Sequence, residues 1–114
     1  MPFPIFVAEM VNNDNYSKVK ALAEQIVSAG DAIYLYGSRA RGDNRADSDW
    51  DVLVLIDKPK TDESDYERYF YPLVELGWDL GEPVSPHMYT LSEWRDSAFT
   101  PFCHNVEQDK IRLA

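Results

Sequence analysis

Val19, Leu22, Ala23, Ile26 and Val27 recur at three- and four-residue steps, while Lys18, Lys20, Glu24 and Gln25 fall mostly between them. That spacing gathers the apolar side chains on one face and predicts a helix from Tyr16, capped by Asp14 or Asn15 and ended by Gly30. Residues 32–36 read Ala-Ile-Tyr-Leu-Tyr between Gly-Asp and Gly-Ser, a run too short for a lasting helix and bounded by turn formers, so a strand is predicted. Residues 52–56, Val-Leu-Val-Leu-Ile, are richer in β-branched side chains and stop at Asp57-Lys58-Pro59, which predicts a second strand. Neither run alternates with polar residues, as expected of strands covered on both faces.

Beyond the second strand, Ser64 and Glu67 have the spacing of a capping box, ahead of an apolar helical face formed by Tyr66, Tyr69, Phe70, Leu73 and Val74. Pro72 predicts a kink there. Residues 84–89 predict a third strand, confined to a sheet edge by Pro83 and Pro86. Thr90 and Glu93 repeat the capping-box spacing before a short helix carrying Trp94. Trp78 and Trp94 are assigned to the core with Tyr66, Tyr69 and Phe70. The tail from Pro101 predicts one more helical turn and a final apolar stretch at 111–113, and residues 1–13 read as an extended arm. Cys103 and His104 adjoin without an evident partner, which favours a structural reading of both. Helices and strands in this order make one α+β (mixed α/β) domain spanning residues 1–114.

Composition narrows the function. The 114 residues suffice for one core, and 20 acidic against 11 basic residues give a formal charge of −9. Such a surface repels a phosphate backbone, so nonspecific nucleic-acid binding is not expected, although metal ions between carboxylates and phosphates still permit a nucleotide substrate. The single cysteine excludes an internal disulfide and a cysteine-built zinc cage, and fits a reducing, cytoplasmic setting. Two prolines and Glu9 break up the opening apolar run, which reads as neither signal peptide nor membrane span.

The candidate chemistry lies in Tyr36-Gly37-Ser38-Arg39-Ala40-Arg41-Gly42-Asp43 and in Ser48-Asp49-Trp50-Asp51. A strand ending at Gly37-Ser38 and turning into a helix start presents N–H groups and a hydroxyl to an anion. Asp49 and Asp51 lie two residues apart at the head of the second strand, which sets both carboxylates on one side, roughly 6–7 Å apart along the chain. Their mutual repulsion is relieved by a divalent cation. Arg39 or Arg41 is available to neutralise phosphate. Ser48 is available either to orient Asp49 or to cap the turn.

Together these two segments resemble the signature of the minimal nucleotidyltransferases, in the DNA polymerase beta-like superfamily. The fold implied is a palm alone, a small mixed sheet with helices mainly on one face. The implied activity is transfer of a nucleoside monophosphate from a triphosphate, with ATP the expected donor, to an acceptor hydroxyl. Gly37, Ser38, Arg41 and Ser48 would bind nucleotide, and Asp49 and Asp51 would be the catalytic pair that holds Mg2+. The resemblance also suggests an antitoxin acting on a HEPN-type protein partner, and a partner chain or second copy of the domain to complete so small a site.

Many relatives carry a third carboxylate on the next strand, and residues 84–89 contain none. His87 within that strand and Glu82 before it are the candidate replacements. With neither, the chain would be a regulatory module that binds nucleotide or a partner protein without transfer.

Overall fold

The computed structural model describes residues 14–114; the expected arm at 1–13 lies outside the described residues. Helix α1 (Asp14–Ile26) buries Tyr16, Val19 and Ala23, the face set by its sequence spacing. Strand β1 (Ala32–Tyr36) leads into the four-residue helix α2 (Ser38–Arg41), and β2 (Trp50–Ile56) returns antiparallel to β1. A crossover made of α3 (Glu63–Asp65), a π-helical turn (Tyr66–Phe70) and α4 (Tyr71–Leu80) leads to β3 (Val84–Thr90), parallel to β2. Helices α5 (Leu91–Asp96) and α6 (Pro101–Asp109) precede the edge strand β4 (Ile111–Arg112), so the sheet order is β3-β2-β1-β4.

Because side chains alternate along each strand, the sheet has two distinct faces. On one, Ile33, Leu35, Val52, Val54, Ile56 and Val84 pack against Val19 and Ala23 of α1 and against Tyr69 and Leu73 of the crossover. On the other, Tyr36, Leu53 and Leu55 meet Trp94, Cys103 and Val106 of the two short helices. The longer helices therefore cover one face, while α5 and α6 cover the other only in part. Asp51 stands on that second face.

Several boundaries differ from the sequence reading. The capping box at α3 is built by Asp62 and Asp65 rather than Ser64 and Glu67, since Asp62 takes the Ser64 N–H and Asp65 returns a bond to the Asp62 N–H. Lys58 binds both carboxylates, at 2.8 and 3.0 Å, which accounts for the choice. Pro72 is accommodated by the π-helical turn before it, where the Tyr71 N–H reaches back five residues to the Tyr66 carbonyl. A proline cannot donate to the residue four before it and its ring crowds that carbonyl, so an enlarged turn absorbs both costs.

The enlarged turn also shifts the helical phase. Tyr69 and Leu73 are fully buried as expected, whereas Tyr66 is turned outward and Trp78, assigned to the core, is 76% exposed. The tail has nine helical residues in α6 where one turn was predicted, and the final apolar stretch begins with a two-residue strand. Pro86 lies on the edge strand β3 opposite Val52, as its missing N–H requires.

Candidate active site

Four elements bring the motif residues together. At the end of β1, Gly37 adopts φ 76° and ψ −158°, a backbone region that disfavours residues with a Cβ. Its carbonyl accepts from the N–H groups of Ala40 and Arg41, both at 3.0 Å, which starts α2. The first N–H groups of such a turn have no partner inside it.

Asp51 pairs with Tyr36 across β1 and β2, so its side chain rises beside the turn. A Cβ placed on Gly37 would lie 2.5 Å from Asp51 Oδ2; the carboxylate rests directly on the glycine α-carbon. Ser85 of β3 stands opposite Asp51, and its hydroxyl donates to Asp49 Oδ2 at 2.7 Å. Asp49 immediately precedes β2, and both carboxylates share the open face with the Gly37-Ser38 turn.

Burial, reinforced by the charge of Asp49, pushes the Asp51 carboxyl above its ordinary range, while His87 and Arg41 pull it down. Asp51 receives no side-chain hydrogen bond from the described residues, so its oxygens remain open to a cation. Among the described residues no cluster of three or more His, Cys, Asp or Glu side chains has metal-binding geometry. Two carboxylates still fit magnesium, which is commonly held by one or two of them with substrate phosphates and water completing the shell. The pressure on Asp51 to take up a proton is the pressure a cation relieves.

The two arginines separate clearly. Arg39 is buried, donates to the carbonyls of Ser48 and Ala46 at 3.0 and 3.2 Å, meets Glu82 at 3.0 Å and lies 4.5 Å above the Trp50 ring. It clamps the linker between α2 and β2 from behind the site. Arg41 is half exposed and forms ion pairs with Asp43 at 3.1 Å and with Asp109 of α6 at 2.7 Å. Ser48 Oγ accepts from the Arg45 N–H at 2.9 Å, so of its two candidate uses it makes the turn cap.

Glu82 and His87, the two candidates for the third position, also part company. Glu82 binds Asn15, the Trp50 indole N–H and Arg39. Burial opposes its charge, yet those hydrogen bonds and Arg39 together hold its pKa below the usual value. It belongs to the clamp behind Trp50. His87 pairs with Leu53 in register, two residues beyond Ser85, and therefore stands on the face of Asp51 with its ring 6.1 Å from that of Tyr36. The position beside Asp51 on β3 is thus a serine.

Sequence reasoning missed Ser85 and Asp109. Neither belongs to a local motif. A parallel crossover brings the first to Asp49 and the last turn of α6 brings the second to Arg41, and only tertiary register discloses either contact.

A glycine-serine turn facing two strand carboxylates on a mixed sheet defines the nucleotidyltransferase class of palm domain. A family profile described as a nucleotidyltransferase domain matches residues 17–111, and the chain belongs to that family. It is a nucleotidyltransferase that uses a nucleoside triphosphate. A solved structure described as "Crystal structure of the toxin-antitoxin with AMP-PNP" is similar over 90% of this chain and 73% of that chain, with TM-score 0.60 and 24% identity, a likeness of fold. No curated protein matches the chain. Among the described residues no helix is long and apolar enough to cross a membrane.

Proposed function

We propose that this chain transfers a nucleoside monophosphate, from ATP in the first instance, to a hydroxyl on a partner protein in a magnesium-dependent reaction, with the bond between the α and β phosphates broken and pyrophosphate released. The observation that carries the reading is the packing of the Asp51 carboxylate on Gly37, with Asp49 on the same face. Carboxylates and phosphate cradle are thereby adjacent. Asp49 and Asp51 would hold Mg2+, which would supply charge neutralisation to the reacting phosphate oxygens. Gly37 and Ser38 bind the β and γ phosphates. Arg41 exchanges its exposed pair with Asp43 for the triphosphate while keeping Asp109, and Ser48 supports nucleotide binding by keeping the linker before Asp49 closed. His87, on the face of the two aspartates, takes the proton of the acceptor hydroxyl.

The similar structure carries AMP-PNP and a toxin-antitoxin description, which supports ATP as donor and a protein as partner. A HEPN-type helical partner in the cytoplasm, with a protein surface closing over the shallow site, is the specific form of this reading. A second reading is favoured by one observation: Ser85, not an acid, stands beside Asp51, and Glu82 is engaged behind Trp50. On that reading the domain binds nucleotide and restrains its partner without chemistry.

Incubation with α-labelled ATP, magnesium and the partner protein separates the two. Transfer of label that disappears in Asp49→Asn and Asp51→Asn supports the enzyme. Full restraint of the partner by both variants, with no labelling by the wild type, would establish the binding module instead.

A further inference from the structure

An aromatic wall stands beside the carboxylates on the open face, and the phosphate chemistry does not use it. Tyr36 is Asp51's partner across the strands, and its ring makes edge contacts with His87 at 6.1 Å and with Phe102 of α6 at 6.0 Å. Phe102 also meets Trp94 at 6.1 Å, nearly perpendicular to it. Tyr36 and Trp94 are buried, yet Phe102 keeps 43% of its surface in solvent. A packing residue in contact with two buried rings usually disappears with them. This one presents apolar surface at the mouth of the site.

The far end of α6 is fixed to the phosphate turn by the pair between Asp109 and Arg41, so the helix holds Phe102 at a set position relative to Gly37. Directly opposite Tyr36 in the ladder stands Asp51, with side chains about 5 Å apart at Cβ. One residue, Tyr36, therefore links the exposed ring to Asp51: it pairs with Asp51 across the strands and touches Phe102 on α6.

We propose that Phe102 is the stacking platform for the nucleobase of the triphosphate, with Tyr36 fixing its edge. The proposal rests on the nucleotide-transfer reading of Asp49, Asp51 and Gly37. Base stacking on an aromatic ring tolerates any base but favours the larger purine surface, so the platform selects nucleotide over bare polyphosphate and purine over pyrimidine.

The test compares magnesium-dependent binding of AMP-PNP and of inorganic tripolyphosphate by calorimetry to the wild type, Phe102→Ala and Phe102→Trp, with Trp78→Ala as a control on the opposite side of the sheet. Phe102→Ala is expected to weaken AMP-PNP about 5- to 100-fold and to leave tripolyphosphate unchanged. Phe102→Trp is expected to restore AMP-PNP binding, and Trp78→Ala to match the wild type. Equal loss of both ligands in Phe102→Ala, or loss of neither, overturns the platform, while wild-type binding of both ligands still supports the nucleotide reading. Failure of the wild type to bind either ligand overturns the nucleotide reading itself.

Discussion

Replacing Asp51 with asparagine should stabilise the metal-free protein and abolish its response to metal and nucleotide. In the folded chain burial and the neighbouring Asp49 both penalise the Asp51 charge. Two carboxylates about 6.5 Å apart repel by about 0.6 kcal/mol at the dielectric constant of water and about 2.5 kcal/mol at an effective value of 20. An exposed Asp49 beside a half-buried Asp51 at the head of an interior strand lies between these limits, so about 1 kcal/mol is expected, or roughly 4–8 °C in the unfolding midpoint of a domain near this size. The sign follows from linkage. A carboxyl whose folded pKa is raised favours the protonated fold, so its stabilising share is present on the acid side and is lost as pH rises through that pKa. Other acids act oppositely, since Glu82 and Glu107 are held below their usual values and Asp62 is lowered to about 2. The informative quantity is therefore the difference between wild type and Asp51→Asn, followed by circular dichroism in chelator from neutral pH downward. That difference should be largest at neutrality and shrink on acidification. Addition of magnesium and AMP-PNP should reverse the ranking, because only the wild type gains binding energy from them. A variant less stable than the wild type in chelator would mean that the carboxylate is a structural acceptor, and the argument for a cation between the two acids would fail.

Three further substitutions probe the surrounding parts. Gly37→Ala places a methyl group against the Asp51 carboxylate in a backbone conformation alanine resists; it should cost about 1–3 kcal/mol in urea unfolding and weaken AMP-PNP by more than about tenfold, and unchanged binding would refute the close approach. Glu82→Gln removes the charge facing buried Arg39, which retains two carbonyl acceptors, so a loss of about 2 kcal/mol is expected, with AMP-PNP affinity of the folded fraction unaltered. A specific loss of nucleotide affinity there would return Glu82 to the metal site. His87→Ala should slow single-turnover label transfer about 100-fold while changing triphosphate affinity by less than about twofold, and transfer at the wild-type rate would remove the histidine from the chemistry.

The motif residues were legible because their relations are local. Gly37-Ser38 terminates one apolar strand and Asp49-x-Asp51 opens the next, and antiparallel pairing of Tyr36 with Asp51 brings the two together. The third position was not legible, because β3 joins the sheet by a crossover whose register decides whether Ser85, His87 or Glu82 faces Asp51. Trp78 misled for another reason: its large apolar ring argued for the core, yet it stands on the outer side of α4, whose buried positions are Leu73 and Gly77. The two arginines of one motif look alike in sequence, and only the packing of Trp50 beneath Arg39 distinguishes clamp from ligand.

On the proposed reading, the contact between the Gly37 α-carbon and the Asp51 carboxylate couples two equilibria. Displacement of either partner disturbs the other, so divalent ion and polyphosphate should each tighten the other's hold by an identical factor, whichever is added first. Such reciprocity would make the domain a sensor of the ion-nucleotide complex, blind to either component alone at concentrations where the pair saturates it.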